Sequence, residues 1–242
     1  NKYKARIKIL VHETGLEELK SQIEAEWAHL KDTELKLPEE DIAAIATYFE
    51  PPKLVDRAEG WGQLAEWKKA DASFATWIGQ NVGPHHHPDY GTVTISLKPI
   101  GGVPGDATDA QLDLVADLAE EYGNDEIRVT HEQNLVLPHV ALADLEPLYR
   151  VLAANGLATG NAGLVTDIIA CPGLDYCALA NARSIPVAQE ISNRFGDDER
   201  QQKIGDLKIK ISGCINACGH HHVGHIGILG VEKKGAELYQ LT

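Results

Sequence analysis

Apolar and polar residues alternate or recur at regular spacings along most of the chain, and these spacings predict short strands and helices. Residues 4–11 alternate isoleucine or valine with lysine or arginine, which predicts a half-buried strand. Apolar residues recur every three or four positions over residues 16–30 and 38–49, which predicts two amphipathic helices. Pro51-Pro52 ends the second helix. The pattern is weak from there to about Gly79, and we interpret that stretch as connecting structure.

A second group of elements begins near Gly91. Thr108 and Gln111 have the spacing of a capping box, which marks the start of a helix. The predicted elements of this group are a strand at 93–97, a helix from Thr108 to Tyr122, a strand at 127–137 and a helix from Asp144 to Gly156. This order of strands and helices is typical of a small α/β unit of ferredoxin-like type.

The final third of the chain also mixes strand and helix patterns. Its predicted elements are a strand at 164–169, a helix over Val187–Phe195, a strand at 207–211 and a strand around Ile226 and Ile228. Two cysteine motifs fall where these strands give way to loops, which is the usual location of sites in α/β proteins. The pattern as a whole predicts a mixed α/β (α+β) fold.

Composition and charge narrow the class of protein. The chain has 242 residues, with 43% hydrophobic and 24% charged residues, as in ordinary globular proteins. A net charge of −14 argues against a nucleic-acid binder and against binding to an anionic membrane surface. No apolar run reaches the length of a membrane span, and the first residues do not form a secretory signal. Because there is no methionine, we expect a processed chain or an excised fragment.

The four cysteines form two local pairs. Cys171 and Cys177 form a C-x5-C motif, and Cys214 and Cys218 form a C-x3-C motif. Four thiolates in two short loops are what a [4Fe-4S] cluster needs, because each iron takes one thiolate. Reduced cysteines that serve a cluster also fit a cytoplasmic location.

Other roles for four cysteines remain open on spacing alone. A structural zinc site is the second choice, although a five-residue gap is loose for that ion. Two disulfides rank third, because a chain of this size needs none and nothing marks it as secreted. Inert core thiols are a further possibility, but Pro172 and the glycines beside both pairs favour shaped loops.

The residues around the cysteines resemble a known family. Cys-Pro-Gly-x-x-x-Cys at 171–177 and Ser-Gly-Cys-x-Asn-x-Cys-Gly at 212–219 resemble the cluster signature of the sirohaem-dependent sulfite and nitrite reductases. The resemblance implies that a [4Fe-4S] cluster is held by four metal ligands, with the last also bridging to sirohaem iron: Cys171, Cys177, Cys214 and Cys218.

Two further sets of polar residues acquire a role from this resemblance. The segment R-x-T-x-x-Q-N supplies Arg128, Thr130, Gln133 and Asn134, which by themselves indicate a solvated strand face and loop. In the family this segment lies against sirohaem, whose carboxylates suit such donors. Asn216, between the second pair of cysteines, is either a turn residue or a donor to cluster sulfur or the macrocycle.

The histidine runs receive no ligand role. His85–His87 is expected to form a surface loop, and His220–His222 follows the cluster motif without being needed to complete it.

The resemblance also implies a domain organisation. Residues 1–75 are expected to be the remnant of a preceding reductase domain, residues 76–156 a ferredoxin-like half-domain, and residues 157–242 a cluster- and sirohaem-binding domain truncated at its end. The missing N-terminal half of the same protein would contribute the arginines and lysines that bind the anion. The chain by itself is therefore expected to be inactive.

The implied reaction is the six-electron reduction of sulfite to sulfide, with nitrite to ammonia as the alternative. Electrons would come from ferredoxin or a flavoprotein reductase and would pass through the [4Fe-4S] cluster to sirohaem. Two other hypotheses remain: a non-catalytic four-cysteine zinc module, and an iron–sulfur electron carrier without sirohaem.

Overall fold

The structure is a computed structural model that describes residues 7–33, 35–57 and 60–242, with the side chains of residues 60 and 61 outside the description. The chain divides into two compact units, residues 1–53 and 54–242.

The first unit contains three helices in its described residues: α1 (Ile7–Thr14), α2 (Leu16–Leu30) and α3 (Glu39–Thr47). The two predicted amphipathic helices are confirmed. The predicted strand at 4–11 is wrong from residue 7 onward, while residues 4–6 lie outside the described residues. Ile7, Leu10 and Val11 also fit the helical period, and so short a run does not distinguish the two periods.

The second unit begins with two helices, α4 (Gly60–Ala70) and α5 (Ala72–Asn81). The interpretation of this stretch as connecting structure is therefore wrong from residue 60 onward. Asp71 caps α5, because its carboxylate accepts the backbone N–H groups of Ser73 and Phe74. Trp77 of α5 is buried in the core.

A four-stranded antiparallel sheet follows, in the order β1-β2-β4-β3. Its strands are β1 (Val82–Pro84), β2 (Tyr90–Ile95), β3 (Arg128–Val129) and β4 (Leu135–Ala141). Two helices accompany this sheet, α6 (Asp109–Tyr122) and α7 (Leu145–Ala154). The predicted capping box of Thr108 and Gln111 is confirmed at the start of α6.

The core of this part joins the first sheet to its helices. It is built from aromatic residues of α5, aliphatic residues of β2 and β4, and leucines of α7, including Phe74, Trp77, Val93, Ile95, Leu137, Leu145, Leu148 and Leu152. All eight side chains are almost fully buried, so hydrophobic burial fixes the position of this sheet.

The second sheet has the order β5-β6-β7-β8. Its strands are β5 (Ile169–Ala170), β6 (Ile209–Ser212), β7 (Ile226–Lys233) and β8 (Ala236–Leu241). The first three strands are parallel, and β8 is antiparallel to β7.

The connection between β5 and β6 contains α8 (Ile185–Phe195) and α9 (Asp198–Ile204). Pro186 lies in the first turn of α8 and therefore marks its start. The strand predicted at 164–169 is shorter than expected, because backbone bonds from Leu164 to Asn161 and from Asp167 to Leu164 form turns there. The mixed α/β class is confirmed.

Candidate metal centre

The sheet topology brings the two cysteine motifs together. Cys171 directly follows β5, and Cys214 follows the end of β6 after one intervening residue, Gly213. Because β5 and β6 are parallel neighbours, their carboxyl ends lie at the same edge of the sheet. The backbone N–H of Gly213 donates to Cys171 Sγ at 3.1 Å, and the N–H of Cys171 donates to the Ile211 carbonyl at 3.1 Å.

Glycine allows the two cysteine loops to approach closely. A Cβ atom on Gly213 would lie 2.6 Å from the Ala182 carbonyl oxygen and 2.9 Å from Gly173 Cα. The carbonyl of Gly213 accepts the N–H groups of both Asn181 and Ala182, at 2.8 and 3.0 Å. The loops are thus joined through their backbones, and the thiols of both motifs lie beside the same junction.

Local turns position the second cysteine of each motif. Gly173, with φ of 60°, lies in a 3₁₀ turn and accepts the Cys177 N–H at 2.8 Å. Ala217, with φ of 58°, donates its N–H to the Cys214 carbonyl at 3.1 Å. All four thiols are free, with Cys214 buried, Cys218 exposed and the other two partly buried. The disulfide alternative is not realised.

The two metal alternatives require different spacings of the four sulfurs. Four sulfurs around one zinc ion, with bonds of about 2.3 Å, lie within about 4 Å of one another. Among the described residues, no three cysteine thiols lie within 4.8 Å of one another. A cubane instead binds one thiolate at each of four separate irons and needs a wider set. Four free thiols on two adjoining loops are the kind of donor set that such a cluster takes.

The segment at 128–134 is joined to the cysteine strand through Gln133. Its Nε2 donates to the Ala170 carbonyl at 2.9 Å, and its Oε1 accepts the Ala170 N–H at 3.1 Å. Ala170 is the residue immediately before Cys171. The structure thus places Gln133 beside the first cysteine motif, where its amide is engaged by protein backbone.

Asn134 is 1% exposed, and its amide is engaged inside the protein. Its Oδ1 accepts the Leu97 N–H and Lys98 Nζ, both at 3.1 Å, while its Nδ2 donates to Asp167 Oδ1 at 3.1 Å. These contacts link β2 and β4 to the segment that precedes β5.

Lys98 is the centre of this buried network. Its ammonium donates to the Glu132 carbonyl, to Asn134 Oδ1 and to Asp167 Oδ1, the last at 2.6 Å. Burial lowers the pKa of Lys98, and the charge of Asp167 opposes that shift. The side chains of Lys98 and Asp167 are 2% and 5% exposed. All three ammonium donors have acceptors, which is what a buried cation requires.

The other two residues of the R-x-T-x-x-Q-N segment have partners other than Ala170 and Asp167. Thr130 Oγ1 accepts the N–H groups of Glu132 and Asn134, and so shapes the turn between β3 and β4. Arg128 is exposed, pairs with Glu126 at 2.5 Å and lines a pocket of about 220 Å³ beside His85. None of the four cysteines lines that pocket.

Asn216 lies in the C-x3-C loop. It is half-buried, and its amide makes no hydrogen bond to any residue within the described ranges. Its donor and acceptor atoms therefore remain available to a bound group.

Four charged residues beside this segment were not predicted from the sequence to interact: Lys98, Asp167, Glu132 and Lys208. Lys208 Nζ donates to Glu132 Oε1 at 2.8 Å, which lowers the pKa of Glu132 and raises that of Lys208. A signal was present, because Lys98 follows an apolar strand and Asp167 interrupts the apolar run at 164–170. Charged residues inside apolar stretches indicate a buried pair.

The histidine-rich loop forms a separate cluster. His85 Nε2 lies 2.9 Å from His139 Nδ1, and burial lowers the pKa of both rings. Within the part of the chain that the structure describes, Asp56, His87 and Asp89 alone place three ligand atoms within 4.8 Å. These groups already interact within the protein. Asp56 pairs with His87 at 3.3 Å, and Asp89 accepts the Arg57 N–H.

None of the described helices has both the length and the apolar character needed to cross a bilayer.

The fold and the four cysteines define an α/β protein with a candidate iron–sulfur site, and comparisons with known proteins show which family it resembles. Residues 85–155 match the family described as the nitrite/sulfite reductase ferredoxin-like half domain. The chain is 27% identical over 98% of its length to a chloroplastic ferredoxin–nitrite reductase from Zea mays. It is 33% identical over 55% of its length to sulfite reductase [ferredoxin] 2 from Mycolicibacterium paratuberculosis. Over nearly all of its length, the chain is similar to members of the sulfite/nitrite reductase family.

A solved structure shows the same fold. The Mycobacterium tuberculosis NirA protein is 24% identical to the chain, with a TM-score of 0.58, and the match covers 98% of this chain and 38% of NirA. The chain spans about a third of the length of the curated relatives it matches, 36% of the maize protein and 33% of a birch relative from Betula pendula.

Proposed function

We propose that this chain carries the [4Fe-4S] cluster and part of the sirohaem pocket of a sulfite reductase. The observation that supports this most directly is the junction of the two cysteine loops, with four free thiols at the carboxyl ends of β5 and β6. Cys171, Cys177, Cys214 and Cys218 would bind the four irons.

The exposure of Cys218 supports its proposed second role. It is the one exposed thiol of the four, so its sulfur is open to a large neighbouring group on the solvent side. Asn216, half-buried in the same loop, would donate to sulfur or to a carboxylate of sirohaem. When bound, the cluster and sirohaem supply the electron delivery and anion activation that protein side chains do not provide.

Gln133 and Asn134 are proposed to support the centre from the protein side, because their amides are engaged by Ala170 and by the Lys98–Asp167 pair. Arg128 and Thr130 retain their proposed contact with the macrocycle. Arg128 would have to leave its ion pair with Glu126 to bind a sirohaem carboxylate.

The proposed reaction is the six-electron reduction of sulfite to sulfide. Nitrite reduction to ammonia is the second candidate, since relatives that cover nearly all of this chain are named nitrite reductases. The groups that bind the anion would lie in a part of the protein outside this sequence, which would also complete the sirohaem pocket. The chain by itself would not turn over either anion.

The proposed electron donor is ferredoxin, because several relatives are named ferredoxin-dependent enzymes. A flavoprotein reductase is the alternative donor, and the proposed location is the cytoplasm. Binding of reduced ferredoxin would be measured with the holoprotein at low ionic strength, and its loss in added salt would indicate an electrostatic docking surface.

The metal centre is tested by anaerobic purification followed by counts of iron, acid-labile sulfide and zinc per chain. Four irons and four sulfides are expected, and substitution of any one cysteine by serine should reduce the iron count. Stoichiometric zinc without sulfide in the wild-type chain would overturn the proposal.

The reaction is tested with reduced methyl viologen as donor. The chain with restored cofactors should show no turnover of sulfite or nitrite, and the same chain joined to the remainder of its protein should reduce sulfite faster than nitrite. Faster turnover of nitrite would establish the second candidate instead.

A further inference from the structure

Strand β5 has an outer edge that is covered by no strand of the described residues. It is the first strand of its sheet and pairs with β6 on one side alone, through residues Ile169 and Ala170. An edge strand leaves backbone N–H and C=O groups without partners, and buried groups of this kind must find others.

The side chain of Gln133 satisfies this edge. Its amide bonds both the N–H and the C=O of Ala170, at 3.1 and 2.9 Å, as a neighbouring strand would. A primary amide suits this task, because it offers a donor and an acceptor side by side, whereas a carboxylate offers acceptors alone.

The backbone of Gln133 is itself held in place. Its φ is 59°, a left-handed conformation that non-glycine residues seldom adopt. Its N–H donates to the Thr130 carbonyl at 3.2 Å, and Thr130 in turn donates its N–H to the Asn134 carbonyl at 2.9 Å. Gly105 lies so near that a Cβ there would be 2.9 Å from Gln133 Cβ.

The adjacent residue fixes the same segment at a second point. Asn134 Nδ2 donates to Asp167 Oδ1 at 3.1 Å, three positions before Ala170. Residues 133 and 134 therefore hold the chain on both sides of Ile168, with Cys171 directly beyond. The sulfur of Cys171 accepts the Gly213 N–H at 3.1 Å and lies 3.5 Å from Ser184 Oγ.

We propose that Gln133 is a positioning residue for the thiol of Cys171: it replaces a missing strand at the edge of β5 and so holds that sulfur against the Gly213 N–H. This inference rests on the proposed function for its consequence at the cluster. The clamp itself is a property of the protein and is measurable without any cluster.

The test compares three variants of the full chain. Gln133→Ala removes both bonds to Ala170. Gln133→Asn keeps an amide but shortens it by one methylene, and asparagine accepts the left-handed backbone more readily than glutamine. Gln189→Ala is the matched control, because that glutamine amide also bonds one backbone carbonyl, Gly101 O at 3.0 Å.

The first readout is the rate at which iodoacetamide alkylates Cys171 in the cluster-free chain, measured by peptide mass spectrometry relative to Cys218. Loss of two hydrogen bonds should raise this ratio by about fivefold or more in both Gln133 variants. The control should leave it unchanged. Gln133→Asn should still unfold in a cooperative transition, and it decides the matter if Gln133→Ala does not fold. The change in the ratio of Cys171 to Cys218 alkylation in the folded variant then reports on the position of the sulfur.

The second readout is the electron paramagnetic resonance spectrum of the reduced cluster, which should change in Gln133→Asn and not in Gln189→Ala. Unaltered Cys171 alkylation in a folded Gln133→Asn variant would overturn the inference. If the wild-type chain assembles no cluster, the proposed function fails, and the alkylation rates still decide whether Gln133 positions Cys171.

Discussion

Lys98 is a buried cation whose ammonium donates hydrogen bonds to three acceptors, which belong to Glu132, Asn134 and Asp167. Replacement by methionine keeps the apolar stem and removes the charge, which leaves the buried Asp167 carboxylate without its cationic partner and bonded to the Asn134 amide and the Gly163 N–H. We expect Lys98→Met to lower the free energy of unfolding by about 3–5 kcal/mol, measured by urea denaturation.

The matched control for that experiment is Lys208→Met. Lys208 also pairs with an acidic residue, Glu132, but its side chain is 41% exposed. Its removal should lower the free energy of unfolding by about 1 kcal/mol or less. Equal losses in the two variants would contradict a special role for the buried pair.

Glu132 makes stability depend on pH. Its hydrogen bond with Lys208 is the largest cause of its lowered pKa, and the charge of the same lysine adds to it. A lowered carboxyl pKa contributes stability above the ordinary value of 4.5, and this contribution is lost as the pH falls through the lowered value. Wild type should therefore exceed Glu132→Gln in unfolding free energy at about pH 7, by up to about 1 kcal/mol.

The difference between these two proteins should shrink toward zero at about pH 3. Glu190→Gln is the control, because Glu190 and its partner Arg194 are 63% and 73% exposed. A Glu132→Gln difference that stays constant between the two pH values would exclude the ion pair as its source.

At the scale of elements, the C-x3-C loop packs tightly against the end of β6. A Cβ atom on Gly219 would lie 1.9 Å from the Ile211 carbonyl oxygen. That carbonyl accepts the Cys171 N–H, so the substitution would move both cysteine loops. Gly219→Ala should reduce the iron bound per chain at least as much as loss of one cysteine does.

Gly79→Ala provides the comparison for Gly219, because Gly79 lies in α5 with nothing within 4 Å of an added Cβ. Its iron content should equal that of wild type. Wild-type iron in Gly219→Ala would show that the close approach to Ile211 is not needed for the centre.

The elements also show where local pattern is sufficient. The capping box of Thr108 and Gln111 acts over three residues, and so the sequence predicts the start of α6 correctly. At Ile7–Thr14, the same few apolar residues fit both the period of a strand and the period of a helix. The pattern there does not distinguish the two structures. Helix α4 was not predicted, because two glycines and few apolar residues weaken its helical period.

At the scale of the whole molecule, both apolar clusters lie within residues 74–228. We therefore expect a fragment of residues 54–242 to fold by itself, because the burial that stabilises both sheets is internal to it. Circular dichroism should show mixed helix and strand content, and urea should unfold the fragment cooperatively. A fragment without a cooperative transition would contradict this division of the chain.

The sequence by itself predicts the donor set of the candidate metal centre: four cysteines in two short loops, each after an apolar strand. These features are local, since a strand pattern and a loop motif need no information about distant residues. The strands at 93–97 and 207–211 were predicted for the same reason and overlap β2 and β6, but alternation did not predict that β6 is buried on both faces.

Only the tertiary structure decided which distant groups meet. Lys98 and Asp167 are 69 positions apart, and Gln133 and Ala170 are 37 positions apart. No local pattern in the sequence predicts that the amide of Gln133 bonds a strand edge. That choice depends on how the two sheets pack, because a buried donor or acceptor takes the partner that packing places within reach.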